Sequence, residues 1–255
     1  MFRRTNLCGV GDAVVMKSEL AMFRRYKPHI LELGVILGAY LVYLLIRGLG
    51  VADIESLGTS NAEKIVSLEK NMGIFWEPGW QKWALENAHP LVLVLNWVYI
   101  FTYWPIIFLS GLLFYCRERL IYYQYRNVIL VGFVIAIVMF TVFPLSPPFS
   151  EAGGLVNTIQ ELGPTFYGGP SMARFYNVYA AMPSLHFTWT AVLGVLLVRR
   201  TSGLWKSLGV AYPAVTFFAI TITGNHFIVD AIAGGLLAGL SLGLVEWWTR
   251  RRRVI

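Results

Sequence analysis

Charge and cysteine are what this sequence has least of. Asp, Glu, Lys and Arg make up only 14% of its 255 residues, while 56% are hydrophobic. So small a charged fraction excludes an ordinary water-exposed surface and directs the reading to a membrane. Only two cysteines occur, Cys8 and Cys116. They offer no metal-binding spacing, and the topology argued below puts both on the inner side, where thiols stay reduced, so no disulfide is expected. A cleavable leader pattern is also not apparent. Residues 1–27 are basic and mixed, with no apolar core followed by a small-residue cleavage site, so a removed signal peptide is not expected. The first span is read as a retained anchor. Residues 1–28 then form a basic cytoplasmic segment, either a solvated tail or one lying on anionic headgroups.

What is present comes in apolar blocks of about 20 residues, the length needed to cross a bilayer. Six are recognised, near Ile30–Leu49, Leu91–Tyr115, Tyr122–Phe143, Pro183–Val198, Leu204–Thr223 and Phe227–Trp248, the fourth marginally short. The expected fold is all-α: a polytopic membrane bundle of about six transmembrane helices, forming one catalytic domain over residues 29–255. With the N-terminus inside, sixteen of the 21 basic residues fall on the inner side. That positive-inside bias accounts for the net charge of +7 better than nucleic-acid binding does. Both termini are expected in the cytoplasm and the protein in the plasma membrane.

Between the first two spans, residues 52–89 read as two short amphipathic helices on the outer surface, a lid or a guide for lipid. Ser60-Asn61-Ala62-Glu63 has capping-box spacing, followed by Ile65, Leu68 and Met72 at helical intervals up to Gly73. Trp76, Trp80 and Trp83 supply an interfacial aromatic mixture. The second span holds Tyr99, Tyr103, Trp104 and Pro105; the proline is expected to kink it, and no chemistry is assigned there. Phe143-Pro144-Leu145-Ser146-Pro147-Pro148 stops the third span and opens a long outer loop, residues 144–183. Arg174 is the only basic residue in that loop and its best candidate to hold a phosphate. In the sixth span Gly235, Gly239 and Gly243 recur every four residues, a spacing that lets helices pack closely within the bundle.

Two stretches carry chemistry. Met182-Pro183-Ser184-Leu185-His186 opens the fourth span, and Thr223-Gly224-Asn225-His226-Phe227-Ile228-Val229-Asp230 opens the sixth. Both openings fall on the outer side. Positions four apart share a helix face, so Asp230 can hold one nitrogen of His226 and make the ring a better nucleophile or base. His186 would take the opposite role. A carboxylate near hydrocarbon costs on the order of 2.5–3.5 kcal/mol on insertion scales, which marks Asp230 as functional.

Pro183-Ser184-Leu185-His186, followed some forty residues on by Gly224-Asn225-His226-x-x-x-Asp230, resembles the second and third signature motifs of the type 2 phosphatidic acid phosphatase superfamily. Leu185 before the first histidine and Thr223-Gly224-Asn225 before the second are most similar to the inositolphosphotransferase branch, related to inositol phosphorylceramide synthases. The resemblance implies that His226 attacks phosphorus to give a phosphohistidine and that Asp230 orients its ring. His186 would protonate the leaving oxygen and then activate the acceptor, which is water or an alcohol such as inositol. The amides of Ser184 and Leu185, with Asn225, would help hold the phosphate. A lipid phosphate is the implied substrate, with no cofactor and no metal. The family's first motif, Lys-x6-Arg-Pro, has no counterpart here; Ile220 stands at an expected arginine and Phe149 at another, which leaves Arg174 as the main cation. Two further readings stay open. One is a metal site of His186, His226 and Asp230. The other is a non-catalytic lipid-binding protein of the same fold.

Overall fold

A computed structural model describes residues 8–48, 53–164 and 177–254. The described residues form ten helices, with no strand among them: α1 (Cys8–Gly48), α2 (Ile54–Met72), α3 (Glu77–Asn87), α4 (His89–Phe101), α5 (Trp104–Arg117), α6 (Arg119–Val142), α7 (Thr158–Leu162), α8 (Leu185–Arg200), α9 (Leu204–Ile222) and α10 (Ile228–Val254). Residues 1–49 form one unit and residues 50–255 another. The first unit is α1, whose stretch Arg25–Ile46 is long and apolar enough to cross a membrane.

In the second unit α6, α9 and Ile228–Arg252 of α10 meet the same test, and α4 with α5 meets it as a pair bent by 44°. That makes four such helices among the described residues, or five if the bent pair is one span. The expected six are not reached because α8 has 16 residues, short of the roughly 17–25 a span needs. It is nonetheless a central helix. Trp189, Val192 and Leu196 of α8 join Tyr103 just before α5, Ile107 of α5, Tyr125 and Val128 of α6, and Ala238, Leu242 and Val245 of α10 in one core.

The break between α4 and α5 follows from the sequence. Pro90 and Pro105 each fall in the first turn of a helix, where the missing N–H costs nothing, so each starts a new segment. The carbonyl of Thr102 at the break accepts the Tyr212 hydroxyl of α9, so a neighbouring helix satisfies one backbone group left open there.

Where lipid tails are as apolar as side chains, helices are held together by close packing. A Cβ on Gly194 of α8 would stand 2.5 Å from the Gly209 carbonyl of α9, and one on Gly234 would stand 2.6 Å from the Ser184 carbonyl. The glycine stripe of α10 does not have the expected role throughout: Gly239 and Gly243 meet nothing within 4 Å, and the close approach is made by Gly234. The expected helix start at Ser60 is corrected too. α2 begins at Ile54, so Ser60 to Glu63 lie inside it, and Asn61 instead donates to the Pro144 carbonyl at 2.9 Å.

α2 and α3 lie over the start of α10 and the end of α9. Ala62, Ile65 and Val66 of α2 pack with Leu145, Ala181 and Phe227, while Ala84 of α3 packs with Val92, Leu95, Ala219 and Ile222. The Pro-rich exit of α6 is tied down between them, Leu145 N–H donating to Tyr179 at 2.8 Å and Phe149 N–H to Gly224 at 3.0 Å. The opposite end is basic: Arg199 pairs with Glu246 at 2.5 Å, and Arg200 donates to Gln124 at 2.6 Å.

Candidate active site

The turn before α10 is built to present His226. Gly224 adopts φ +79°, the left-handed region, and a Cβ there would meet the Val156 carbonyl at 2.6 Å, so the position requires glycine. The Asn225 and His226 amides both donate to the Ile220 carbonyl, at 3.2 and 3.0 Å. Asn225 spends its side-chain amide on Thr223, donating to its hydroxyl at 2.9 Å and its carbonyl at 3.3 Å. It shapes the turn.

Asp230 is fully buried, and its Oδ2 lies 3.4 Å from His226 Nδ1. The same oxygen accepts the Phe227 amide at 2.9 Å. This is the reaching-back half of a capping box, with an acidic residue at the third helical position holding the N-cap amide. One carboxylate thus fixes both the helix start and the ring, leaving Nε2 of His226 as the nitrogen that can attack. A contact of 3.4 Å is loose, as catalytic hydrogen bonds often are before substrate binds.

The next two amides of α10 go to residues distant in sequence. Ile228 N–H donates to Glu77 Oε1 at 2.7 Å and Val229 N–H to Glu69 Oε1 at 2.8 Å, and both glutamates are fully buried. Burial, opposed by the Val229 hydrogen bond but assisted by Glu77 and Asp230, pushes the Glu69 carboxyl up to about 9. Neither glutamate was a sequence-based candidate. The available signal was positional: Glu69 continues the buried face of Ala62, Ile65 and Val66 along α2.

His186 begins α8 in aromatic surroundings. Its ring stacks on Tyr103 at 3.8 Å and on Tyr99 at 4.3 Å, and Tyr103 stacks in turn on Trp189 at 5.4 Å. The second span therefore does contribute to the site, contrary to expectation, because its bend brings both tyrosines to His186. Nε2 of His186 is buried and has no hydrogen-bond partner. The His186 and His226 rings lie 5.7 Å apart, within reach of one tetrahedral phosphate.

The expected anion contacts are redistributed. Ser184 donates its amide to the Asp230 carbonyl at 3.0 Å and accepts the Phe187 amide on its hydroxyl at 3.3 Å, so its amide is already committed. The amides of Leu185 and His186, in the first turn of α8, have no intrahelical acceptor and are the ones open to an anion. Arg174 lies outside the described residues. Arg126 donates to Asn127 near the start of α6, at the basic end. Among the described residues no three His, Cys, Asp or Glu side chains converge as a metal site. Asp230 Oδ2 is directed at His226 and the Phe227 amide.

Helices of membrane-crossing length thus enclose two histidines from different helix starts, one held by a carboxylate. The family model of the PAP2 superfamily matches residues 63–244, a span that includes both motifs and both glutamates. The chain belongs to the PAP2 superfamily, whose members are generally phosphatases, and this fits phosphatase-type activity on phosphate esters. Neither curated proteins nor solved structures gave a match.

Proposed function

We propose that the protein is a membrane lipid phosphatase or phosphotransferase that works through a phosphohistidine. The observation that carries this reading is the facing pair of histidines, 5.7 Å apart, of which only His226 has a carboxylate on Nδ1. Nε2 of His226 attacks phosphorus as the bond to the leaving oxygen breaks. His186, in its protonated form, gives that oxygen its proton. In the second step water or an alcohol attacks phosphorus, its proton passes to His186, and the phosphorus–nitrogen bond breaks. Two displacements by one nucleophile and one acid/base require these roles to sit on opposite sides of phosphorus.

The basic residues at the far ends of α8 and α10 support a site on the outer side of the membrane. On that topology α8 crosses or nearly crosses the bilayer as a short fourth span, α2 and α3 lie at the outer interface, and the substrate enters from the outer leaflet. The open amides of Leu185 and His186, together with Arg174, would hold the phosphate. Transfer to an alcohol such as inositol is the reading that the similarity of Thr223-Gly224-Asn225 to the inositolphosphotransferase branch suggests, with hydrolysis by water as the alternative.

The test is phosphate release or headgroup transfer from a panel of lipid phosphates in EDTA, with and without inositol. Wild type should be active, and His226→Ala should lose at least about a thousandfold. Activity removed by EDTA would favour a metal site, and activity retained in His226→Ala would leave the lipid-binding reading. Dependence on inositol would decide transfer over hydrolysis.

A further inference from the structure

α10 lacks a capping side chain of its own at Phe227, yet three of its first amides end on carboxylates. Asp230 takes Phe227, Glu77 takes Ile228 and Glu69 takes Val229. Three carboxyls at one helix start complement the partial positive charge there, but all ionised together they would repel each other and any phosphate nearby. The side chains answer this themselves. Glu69 lies against Glu77, and the second oxygen of each is buried without a donor. A single proton between them would satisfy both oxygens and remove one negative charge from the cluster.

We propose that Glu69 and Glu77 are positioning residues for His226: sharing one proton, they clamp the first turn of α10 and so fix the His226–Asp230 pair. The proposal rests on the phosphohistidine reading for its catalytic consequence and on geometry alone for the clamp. Glu69 comes from α2 and Glu77 from α3, so the two helices lying over the site are what hold the nucleophile's helix in register. Loss of either oxygen leaves an orphaned amide in a buried turn, four residues or fewer from His226.

The titratable groups facing Glu69 are Glu77 from α3 and Asp230 from α10, with His226 beyond Asp230. On α2 itself the neighbouring Lys70 ammonium lies over the Phe75 ring at 5.3 Å. Ionisation of Glu69 therefore adds charge to a cluster already negative. Stability should fall as Glu69 loses its proton, up near 9.

Glu69→Ala and Glu69→Gln separate the clamp from mere folding. Glutamine keeps a carbonyl for the Val229 amide and a donor for Glu77, as the protonated acid does. In detergent, hydrogen exchange at the Ile228 and Val229 amides should speed at least tenfold in Glu69→Ala and stay slow in Glu69→Gln. kcat should fall ten- to a hundredfold in Glu69→Ala with KM within about twofold. Glu69→Gln should recover most of that loss and hold its melting temperature to higher pH than wild type.

Unchanged exchange in a folded Glu69→Ala would overturn the clamp, and a melting temperature that falls with pH in Glu69→Gln as steeply as in wild type would overturn the shared proton. Should Glu69→Ala not fold, exchange at the Ile228 amide in Glu77→Ala decides the clamp in the same way, and the pH dependence of melting in Glu69→Gln decides the shared proton. The exchange result is independent of turnover, so a wild type inactive on every phosphate ester would overturn the proposed function while the clamp is judged on its own.

Discussion

α8 begins on its own serine, whereas α10 begins on carboxylates drawn from α2, α3 and its own third position. Both helices start with a histidine motif at the same end of the bundle, and the difference between the two starts sorts their roles. At α8 the Ser184 hydroxyl takes the Phe187 amide, and the amides of Leu185 and His186 have no carboxylate on them. At α10 the amides of Phe227, Ile228 and Val229 are all claimed. A helix start attracts an anion only while its amides are unclaimed. On the proposed function the phosphate would dock against α8, and α10 would supply a rigidly held nucleophile.

The comparison is broken most severely at His186. If it is the proton donor, His186→Ala should slow hydrolysis of an alkyl phosphate by about a hundred- to ten-thousandfold. An aryl phosphate, whose leaving oxygen needs no proton, should lose about tenfold or less in its first step. Equal losses on both substrates would show that the His186 ring, stacked on Tyr99 and Tyr103, holds the phosphate and does not move a proton.

The second test uses the charge at α10, for which α8 has no counterpart. Glu69 sits at about 9 when folded against an ordinary 4.5, so the folded state binds the extra proton. Its contribution to stability is complete below about 4.5 and is lost as pH rises through about 9. The melting temperature of the wild type in detergent should fall across pH 5–9.5. In Glu69→Gln that part of the slope should disappear. The same slope in both proteins would mean that another group sets it.

The third test distorts the turn feeding α10 and leaves α8 alone. Gly224→Ala places a Cβ at φ +79° and 2.6 Å from the Val156 carbonyl. It should cost about 1–3 kcal/mol, read as a lower melting temperature. Since His226 follows two residues later, kcat should fall more than KM rises. A neutral substitution would mean that the turn adapts without moving the ring.

How legible these two starts were in the sequence differs for a physical reason. The i, i+4 spacing of His226 and Asp230, and Ser184 at the opening of an apolar run, are local patterns, and local patterns survive without coordinates. The apolar blocks located α6, α9 and α10 for the same reason. The contacts of Glu69 and Glu77 cross 160 and 151 residues of chain, and nothing in their own segments names the partner. Tyr99 and Tyr103 were read as ordinary span residues because only the 44° bend brings them to His186. The span count exceeded the structure at α8, a 16-residue helix buried mainly between Thr188 and Leu196, because an apolar run packed inside a bundle looks in sequence like one of membrane length. Ser60 was read as a cap because capping-box spacing also arises by chance inside a helix, and only the backbone shows that α2 is already under way at Ile54.

The smallest effect belongs to the self-contained start. Ser184→Ala removes one side-chain acceptor, that of the Phe187 amide at 3.3 Å, and should cost about 1 kcal/mol, within the usual 0.5–2 for a lost cap. It leaves in place the backbone bond from the Ser184 amide to the Asp230 carbonyl at 3.0 Å, which ties α8 to α10. The spacing of the histidines should therefore persist, and with it kcat, while KM rises slightly because the amides of Leu185 and His186 lose a fixed neighbour. Melting temperature and steady-state kinetics on the same preparation test this. A fall in kcat as large as that of Glu69→Ala would mean that the α8 start positions chemistry as strictly as the α10 start, and the distinction between a docking end and a nucleophile end would fail.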